Sequence, residues 1–464
     1  MISYSIEALL SKAAETRVNM QITIPERSAT VKEKTQLLVV GAGPAGIGAA
    51  VAAARKGLQV ILLEKRGFLG GNITAGAIGL CNHFMKRTGF EEKHSGISKE
   101  LETEYRKQYG SSHFVSQPES YHTEYLKIFL DDFILKEKIK IYFHAFVTDV
   151  ITEKNRIAYV IVQTKKGAVA FSADMIIDAT GDGDVAYFSG IPYKMGRKAD
   201  GLCQPGTLMF SIGGVDVDTF RNNPDSVGAV SKQMKRMRDE GLLKLSHGRI
   251  PSVCSLTEGG IVQHVNFNET YGVDATDFAQ VSEAEIKARK QIVELMNFLR
   301  ENIVGMQNIE LAFITPEITF RESRRIEGEY ELSYQDIEND RKFEDGIALF
   351  PRFYDLHSVN NNWQGGNVVE EGVDYLILYD ENQREATIPY RSLVPVKMDN
   401  LLVAGRCICA DPVALSCIRQ VQACIQMGQA AGIAMSMAIK ESISPREIDT
   451  RVLRASLKEQ GVIF

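Results

Sequence analysis

Three glycines and one glutamate are the residues of this chain whose types and spacing most directly imply chemistry. Gly41, Gly43 and Gly46 form a G-x-G-x-x-G run behind an apolar strand, Leu37 to Val40, and ahead of an Ala-rich helix. The first glycine permits a tight turn, the second lets a pyrophosphate reach the backbone, and the third lets helix and strand pack closely. Pro44 and Ala45 open the helix, whose first turn offers unpaired N–H groups to phosphate charge. A second apolar strand, Val60 to Leu63, ends in Glu64, eighteen residues past Gly46, the spacing at which an acidic side chain meets the ribose hydroxyls of a dinucleotide. Lys65 follows, and then a second glycine-rich loop over 66–76 adds Gly70, Gly71, Asn72 and Thr74 to the same pocket.

Other residues could act on a substrate. Arg321, Arg324 and Arg325 stand close together with Glu322 and Glu327. On a helix the three arginines would share a side and could clamp a carboxylate, although an interdomain ion-pair network gives the same pattern. Arg324 is assigned to substrate and Arg325 to structure. Two histidines are candidate proton donors: His83, just past the second glycine loop, and His357, which Asp355 could orient. Tyr390 is a weaker alternative, and His264 reads as an outward-facing residue of a strand.

These groups need a scaffold of strands and helices, and the chain is long enough to supply two. At 464 residues it exceeds a single compact core. The pattern divides it into an N-terminal extension over 1–34, a dinucleotide domain over 35–190 and 386–464, and an interleaved substrate or cap domain over 191–385. The fold class is therefore α/β, a Rossmann-type domain with an inserted α+β unit. Residues 121–137 have helical spacing at Tyr125, Ile128, Phe129 and Leu135. Short strands from Ile139 to Ile177 alternate with turns such as 165–167 and read as a meander. In the inserted unit, Ser282 and Glu285 form a capping box that starts a helix. An apolar strand over 400–406 leads to a long small-residue helix that begins near Val421 and runs to about Ile439.

Composition removes several function classes. Lys plus Arg number 53 and Asp plus Glu 59, a formal charge of −6 without basic blocks, which argues against nucleic acid or an anionic membrane as partner. The uncharged run 37–54 has the length of a membrane span, but four glycines and a proline mark it as a buried strand and helix. No secretory core occupies the first twenty residues. Seven scattered cysteines, with no C-x-x-C, point to a reduced, cytoplasmic setting; the four between 407 and 424 read as small buried residues, and no metal is expected.

Three motifs carry a resemblance: GAGPAG with Glu64, IIDATGDGD at 176–184, and NLLVAGRCICAD at 400–411 followed by MGQAAG at 427–432. Together they resemble FAD-dependent oxidoreductases of the glutathione-reductase superfamily, in the branch shared with fumarate-reductase-type flavoproteins. RESRRIEGEYEL (321–332) and IPYRSLVP (388–395) narrow the likeness to a group of FAD-dependent oxidoreductases without a known substrate. The resemblance implies FAD as cofactor, with Ala179, Thr180 and Gly181 closing the FAD domain after the meander. Val147, Gly405 and Gln422 complete the implied cofactor set. Relatives that attach flavin covalently place a histidine where Asn72 and Ile73 stand here, so the FAD should be non-covalent. Those with an acidic residue after the late glycine hold the ribityl chain with it; here Arg406 follows Gly405, Asp411 is the nearest carboxylate, and either could meet the flavin. Arg406, Arg419 and the helix N-terminus near Val421 are placed to stabilise the anionic pyrimidine edge of reduced flavin, or else form surface ion pairs.

Two function classes follow. One is a dehydrogenase or reductase moving a hydride between flavin N5 and a small polar organic substrate. The other is a non-catalytic or electron-transfer flavoprotein subunit serving another enzyme. The only candidate for a second dinucleotide fingerprint, at 181–190, lacks the spacing and carries two acids, so electrons should pass through the substrate site or a separate donor or acceptor. Flavin-dependent methyl transfer to RNA, a third class, is disfavoured by the acidic charge.

Overall fold

The computed structural model describes residues 28–79, 93–110, 120–222, 252–359 and 384–464, with parts of 230–242 and two further strands, Asn367–Glu370 and Val373–Leu376. The chain begins with β1 (Thr30–Val40), α1 (Pro44–Arg55) and β2 (Val60–Leu63), then α2 (Gly96–Tyr109), α3 (Thr123–Leu135) and β3 (Lys140–Tyr142). These three strands pair in parallel, with Leu37 opposite Val60 and Leu63 opposite Tyr142. Leu37 to Val40 and all of β2 are buried, as expected for parallel strands covered on both faces. The uncharged run thus splits at Gly41 into strand and helix, and no described helix is long and apolar enough to cross a membrane.

Three antiparallel strands follow: β4 (Phe146–Glu153), β5 (Arg156–Thr164) and β6 (Gly167–Asp178). β6 then turns into the parallel layer beside β1, with Val40 opposite Asp178. The meander is therefore shorter than its sequence range, because its first run, Lys140–Tyr142, is the third parallel strand. β1 also starts earlier than expected: Thr30 to Thr35 pair with Val169 to Ala173, since the twelve-residue β6 offers partners that far back. Of the extension at 1–34, residues 1–27 lie outside the described residues. In α3 the buried face is Leu126, Phe129, Leu130, Phe133 and Ile134, while Tyr125, Ile128 and Leu135 are exposed. The apolar pattern there fits two phases, and packing selects the one richer in Leu and Phe.

The inserted unit has its own core. An antiparallel sheet contains β7 (Phe210–Gly213), β8 (Ser252–Leu256), β9 (Val262–Asn266) and, after α4 (Phe278–Asn302), β10 (Glu310–Ile314), in the order β8-β9-β7-β10. Leu208, Phe210, Ile212, Val265, Ile292, Leu295 and Ile318 fill the space between sheet and helix. α4 begins four residues before the expected box: Asp277 accepts N–H bonds from Ala279 and Gln280. Ser282 Oγ instead donates to the Phe278 carbonyl, and Glu285 accepts from the Ile318 N–H. The unit's core is narrower than 191–385, because Ile326, Leu332, Ile337, Phe350 and Leu356 pack into the larger core.

The late strand β11 (Leu401–Val403) pairs in parallel with the end of β6, and α5 (Val421–Glu441) then packs on α1. Glycine makes this contact possible. A Cβ on Gly428 would lie 1.9 Å from the Ala45 carbonyl oxygen, and one on Gly432 2.3 Å from that of Ala49. The two backbones touch with no side chain between them.

Candidate active site

Two glycine loops meet at the carboxyl ends of β1 and β2. Gly41 has φ +94°, and a Cβ there would lie 2.4 Å from the Ala179 carbonyl oxygen. Gly46 is tighter still, its absent Cβ 1.8 Å from the Gly41 oxygen. Gly71 crosses Gly43, and a Cβ on Gly71 would come 2.8 Å from the Gly43 Cα. On Gly43 itself a Cβ would meet nothing nearer than 4.0 Å. The space at the α1 N-terminus is therefore open, with Pro44 and Ala45 in the first turn. That is a cradle for a pyrophosphate.

Glu64 is 3 % exposed and firmly aimed. Its Oε2 accepts the Ala42 N–H at 2.8 Å and its Oε1 the Arg66 N–H at 2.9 Å. Each oxygen keeps a lone pair for a ribose hydroxyl. Lys65 is exposed beside it. In the second loop the carbonyl of Asn72 accepts from Gly76 and Ile78. Thr74 is buried and donates to the Leu69 carbonyl at 2.6 Å, so its hydroxyl braces the loop. Val147 lies in β4 opposite Val162. These features fit the adenosine diphosphate half of FAD.

The end of β6 and the turn after it carry three carboxylates. Asp178 is fully buried and accepts from the Thr180 N–H, the Thr180 hydroxyl and the Ala186 N–H; burial pushes its pKa up. Gly181 has φ +80° and lies against Arg406, whose Nη2 is 2.6 Å from Asp182 Oδ1 and whose Nη1 donates to Ser323 Oγ at 2.7 Å. Burial opposes ionisation of Asp182, but Arg406 and Lys65 outweigh it and lower its pKa to about 2. For Asp184 burial and the charges of Asp182 and Asp178 act together, raising it to about 6.

This pair of shifts has opposite linkage signs. Asp184 binds its proton more tightly in the folded state than in the unfolded chain, so its contribution to stability is full below about pH 4 and lost as pH rises through about 6. Asp182 works the other way, and its contribution disappears only as pH falls toward about 2. Urea unfolding of Asp184→Asn between about pH 4.5 and 7 should show a smaller loss of stability with rising pH than the parent. An unchanged slope would mean that Asp184 titrates as in the unfolded chain.

Arg324 is used within this loop. It pairs with Asp184 at 3.0 Å, donates to the Asp182 carbonyl and stacks over Tyr187 with its guanidinium carbon 4.0 Å from the ring centre. Both hydrogen bonds leave from Nη1, which ties that arm of the guanidinium to the loop. The expected helix is absent: Thr319–Phe320 and Arg325–Ile326 are short strands. Arg325 pairs with Glu322, as a structural residue should. Arg321 donates to the Pro205 carbonyl and Thr207 Oγ1.

A second polar chain crosses between the two cores. Arg419, just ahead of α5, donates to the carbonyl of Asp355 at 2.5 Å and to its Oδ2 at 2.8 Å. Asp355 Oδ1 lies 3.2 Å from His357 Nε2, and His357 Nδ1 lies 2.6 Å from Glu269 Oε1. Tyr271 donates to the other Glu269 oxygen at 2.6 Å, and Arg321 is 3.8 Å from the first. Burial opposes the charge on Asp355, yet Arg419 and His357 hold its carboxyl well below the ordinary range. Both nitrogens of His357 face carboxylate oxygens, so the ring is gripped from two sides. Glu269, which the sequence does not single out, supplies one of those grips.

The remaining candidates fall elsewhere. His83 lies outside the described residues. His264 is 1 % exposed, not outward-facing: its Nε2 accepts the Gly79 N–H at 3.1 Å, which leaves its proton on Nδ1, and burial with nearby His122 lowers its pKa to about 3. Tyr390 is buried, donates to the Pro445 carbonyl at 2.8 Å, and has its pKa pushed up by burial, which unsuits it as a proton donor. Asp411 gives both oxygens to backbone N–H groups, of Ala414 at 2.7 Å and Tyr334 at 2.6 Å, and so caps the helix Pro412–Ile418. Gly405 has φ +91° and faces Ala45, while Gln422 is buried in the first turn of α5. Cys407, Cys409, Cys417 and Cys424 are core residues whose thiols burial pushes up.

The chain is similar in part to several known proteins. A urocanate reductase of Eggerthella lenta is 32% identical over 103 residues, covering 22% of this chain and 17% of that protein. The thiamine thiazole synthase of Aeropyrum pernix is 29% identical over 161 residues, covering 32% of this chain and 55% of the other. The chain thus matches only part of the length of these relatives. Among solved structures, a geranylgeranyl bacteriochlorophyll reductase-like protein of Thermoplasma acidophilum superposes over 92% of this chain and 84% of its own, with a TM-score of 0.45 and 13% identity. The sequence model described as FAD dependent oxidoreductase matches residues 36–457, from the first buried strand through the last helix, and with FAD as its cofactor the chain belongs to that family.

Proposed function

We propose that the chain moves a hydride between the N5 of non-covalently held FAD and a small polar organic substrate, in the manner of fumarate-reductase-type flavoproteins of the glutathione-reductase superfamily. FAD, when bound, supplies the hydride acceptor or donor. The chain's own residues orient the substrate and balance charge. The observation that carries this reading is the polar chain Arg419–Asp355–His357–Glu269. It joins the segment just before α5 to the inserted unit, and it gathers two arginines, Arg419 and Arg321, and the imidazole of His357 at the seam between the two cores.

Such a seam suits a carboxylate or a polarised carbonyl, because arginine presents paired N–H groups to planar oxygen pairs. Asp355 fixes the orientation of Arg419 and His357 together. Glu269 sets the other face of the ring and is itself held by Tyr271. In this reading Arg406 anchors the loop of Asp182 and does not act on substrate. Electrons enter or leave through the same seam or through a separate protein partner, and the setting is cytoplasmic. Partial similarity to a reductase supports the reductive direction.

An anaerobic titration tests the reading. Oxidised holoprotein is mixed with acids, enones and polyols, and the dithionite-reduced form with the same panel. At least one class should bleach or restore the flavin band, and Arg419→Gln should slow that change while retaining its flavin. A panel that leaves both redox forms untouched would turn the assignment toward an electron-transfer subunit.

A further inference from the structure

Arg324 has a second side that the loop does not use. The two-residue strands Tyr193–Lys194 and Arg325–Ile326 pair antiparallel, with Ile326 opposite Tyr193, which brings Arg324 beside that tyrosine and beside Tyr187 of the short helix Asp184–Phe188. Its guanidinium carbon lies 4.0 Å from the Tyr187 ring centre and 5.7 Å from that of Tyr193. The two rings stand 5.7 Å apart at 68° and make an aromatic corner around the cation. Each tyrosine is 40% exposed, so the corner opens to solvent.

Nη1 spends its hydrogen bonds on Asp184 and the Asp182 carbonyl. Among the described residues Nε–H and Nη2–H have no hydrogen-bond partner, and neither atom is sealed from solvent. These two groups lie along one edge of the guanidinium and donate in parallel, an edge that matches the paired oxygens of a carboxylate or phosphate. The tie at Nη1 and the Tyr187 face hold the plane in place, so little freedom is lost when an anion binds. Local charge permits one. Asp182 is matched by Arg406 and Asp184 by Arg324, while Asp178 is enclosed by its own donors. Lys65, exposed and close enough to act on both Asp182 and Asp184, adds a cation.

We propose that Arg324, Tyr187 and Tyr193 form a ligand site of their own, which takes an oxyanion attached to a planar ring. The open guanidinium edge holds the anion, and the tyrosine rings hold the planar body. An aromatic carboxylate and a nucleoside monophosphate share that chemistry. The site uses none of the residues of the cradle at Gly43 and Gly71, and none of the chain from Arg419 to Glu269.

Calorimetric titration of the FAD-loaded holoprotein with benzoate, adenosine monophosphate and adenosine tests the proposal. Benzoate, the monophosphate or both should bind, and which of them does so identifies the anion. Adenosine, which lacks the anion, should bind roughly tenfold more weakly than its monophosphate. Arg324→Lys keeps a cation for Asp184 but loses the parallel edge; it should melt like the parent, retain its flavin and bind the ligand roughly tenfold or more weakly. Tyr193→Leu leaves the pair with Asp184 in place and should weaken the same ligand about fivefold or more. The proposal is wrong if neither anion binds the parent at millimolar concentration, or if Arg324→Lys binds like the parent. Parental affinity in Tyr193→Leu would overturn the part played by the rings. Loss of flavin from Arg324→Lys would make the arginine part of the cofactor cradle and overturn a site of its own.

Discussion

Gly46→Ala should yield a protein almost devoid of FAD and markedly less stable than its parent. The added Cβ would sit 1.8 Å from the Gly41 carbonyl oxygen, and both atoms belong to backbone that has no room to move. Gly41 is itself pressed on Ala179, so the strain passes into the loop after β6. Overpacking of this kind costs about 1–3 kcal/mol or more. It also moves the α1 N-terminus away from the open space where phosphate charge would be held. Gly43→Ala separates the two effects. A Cβ there has 4.0 Å of clearance from protein atoms, so stability should hold while the pyrophosphate space is filled. The flavin-to-protein absorbance ratio and thermal melting, measured on both variants, give the answer. A Gly46→Ala protein with full flavin would show that the cradle lies elsewhere.

The second large effect concerns Arg406. Its position in the sequence suggests the flavin's pyrimidine edge, where its loss would lower the reduction potential at normal flavin content. In the structure its guanidinium is committed to Asp182 and Ser323, and removing it leaves a part-buried carboxylate without its cation. Breaking a fully buried pair on one side costs about 3–5 kcal/mol, an upper bound for this part-buried one. Arg406→Gln should therefore unfold at much lower urea than the parent near neutral pH. Asp182→Asn in the same chain should recover part of the loss, since the orphaned charge is gone. The pH dependence distinguishes this from a packing defect. Asp182 is held at about 2 in the parent, so parental stability gains nothing from Asp182 on mild acidification. Without Arg406 burial dominates and the carboxyl takes up a proton more readily, so the variant should regain stability as pH falls from about 7.5 toward 5.5. A variant as stable as the parent at neutral pH would show the pair to be dispensable.

The cradle was legible in sequence because its requirements are local. Gly41, Gly43, Gly46 and Glu64 fall within one strand-turn-helix-strand unit, and each glycine answers to a backbone approach made inside it. Arg324 shows where this stops. Its density of neighbouring charges was visible, but its partner Asp184 lies 140 residues away, and only the folded chain reveals that Nη1 is paired with it. Glu269 and His357 are 88 residues apart, His264 and Gly79 185, and no spacing rule spans such distances. Local signals also compete. Ser282 and Glu285 satisfy the capping pattern, yet Asp277 caps first, and the helix simply runs through the later box. In α3 the period was legible and the buried face was not, because phase is set by what lies opposite.

The contact between α1 and α5 has a consequence for how the protein is made. The helix that presents its N-terminus to the dinucleotide is sealed on its outer side by a helix more than 370 residues later in the chain, and β11, which completes the parallel layer, is nearly as late. A nascent chain that has emerged only as far as the inserted unit would leave the glycine and alanine face of α1 bare, with no cavity wall near the flavin. Cofactor loading must then wait until α5 has emerged and packed. Until then the newborn first half exposes apolar surface, and truncation ahead of α5 should abolish cofactor uptake without touching a single cofactor contact in the first half.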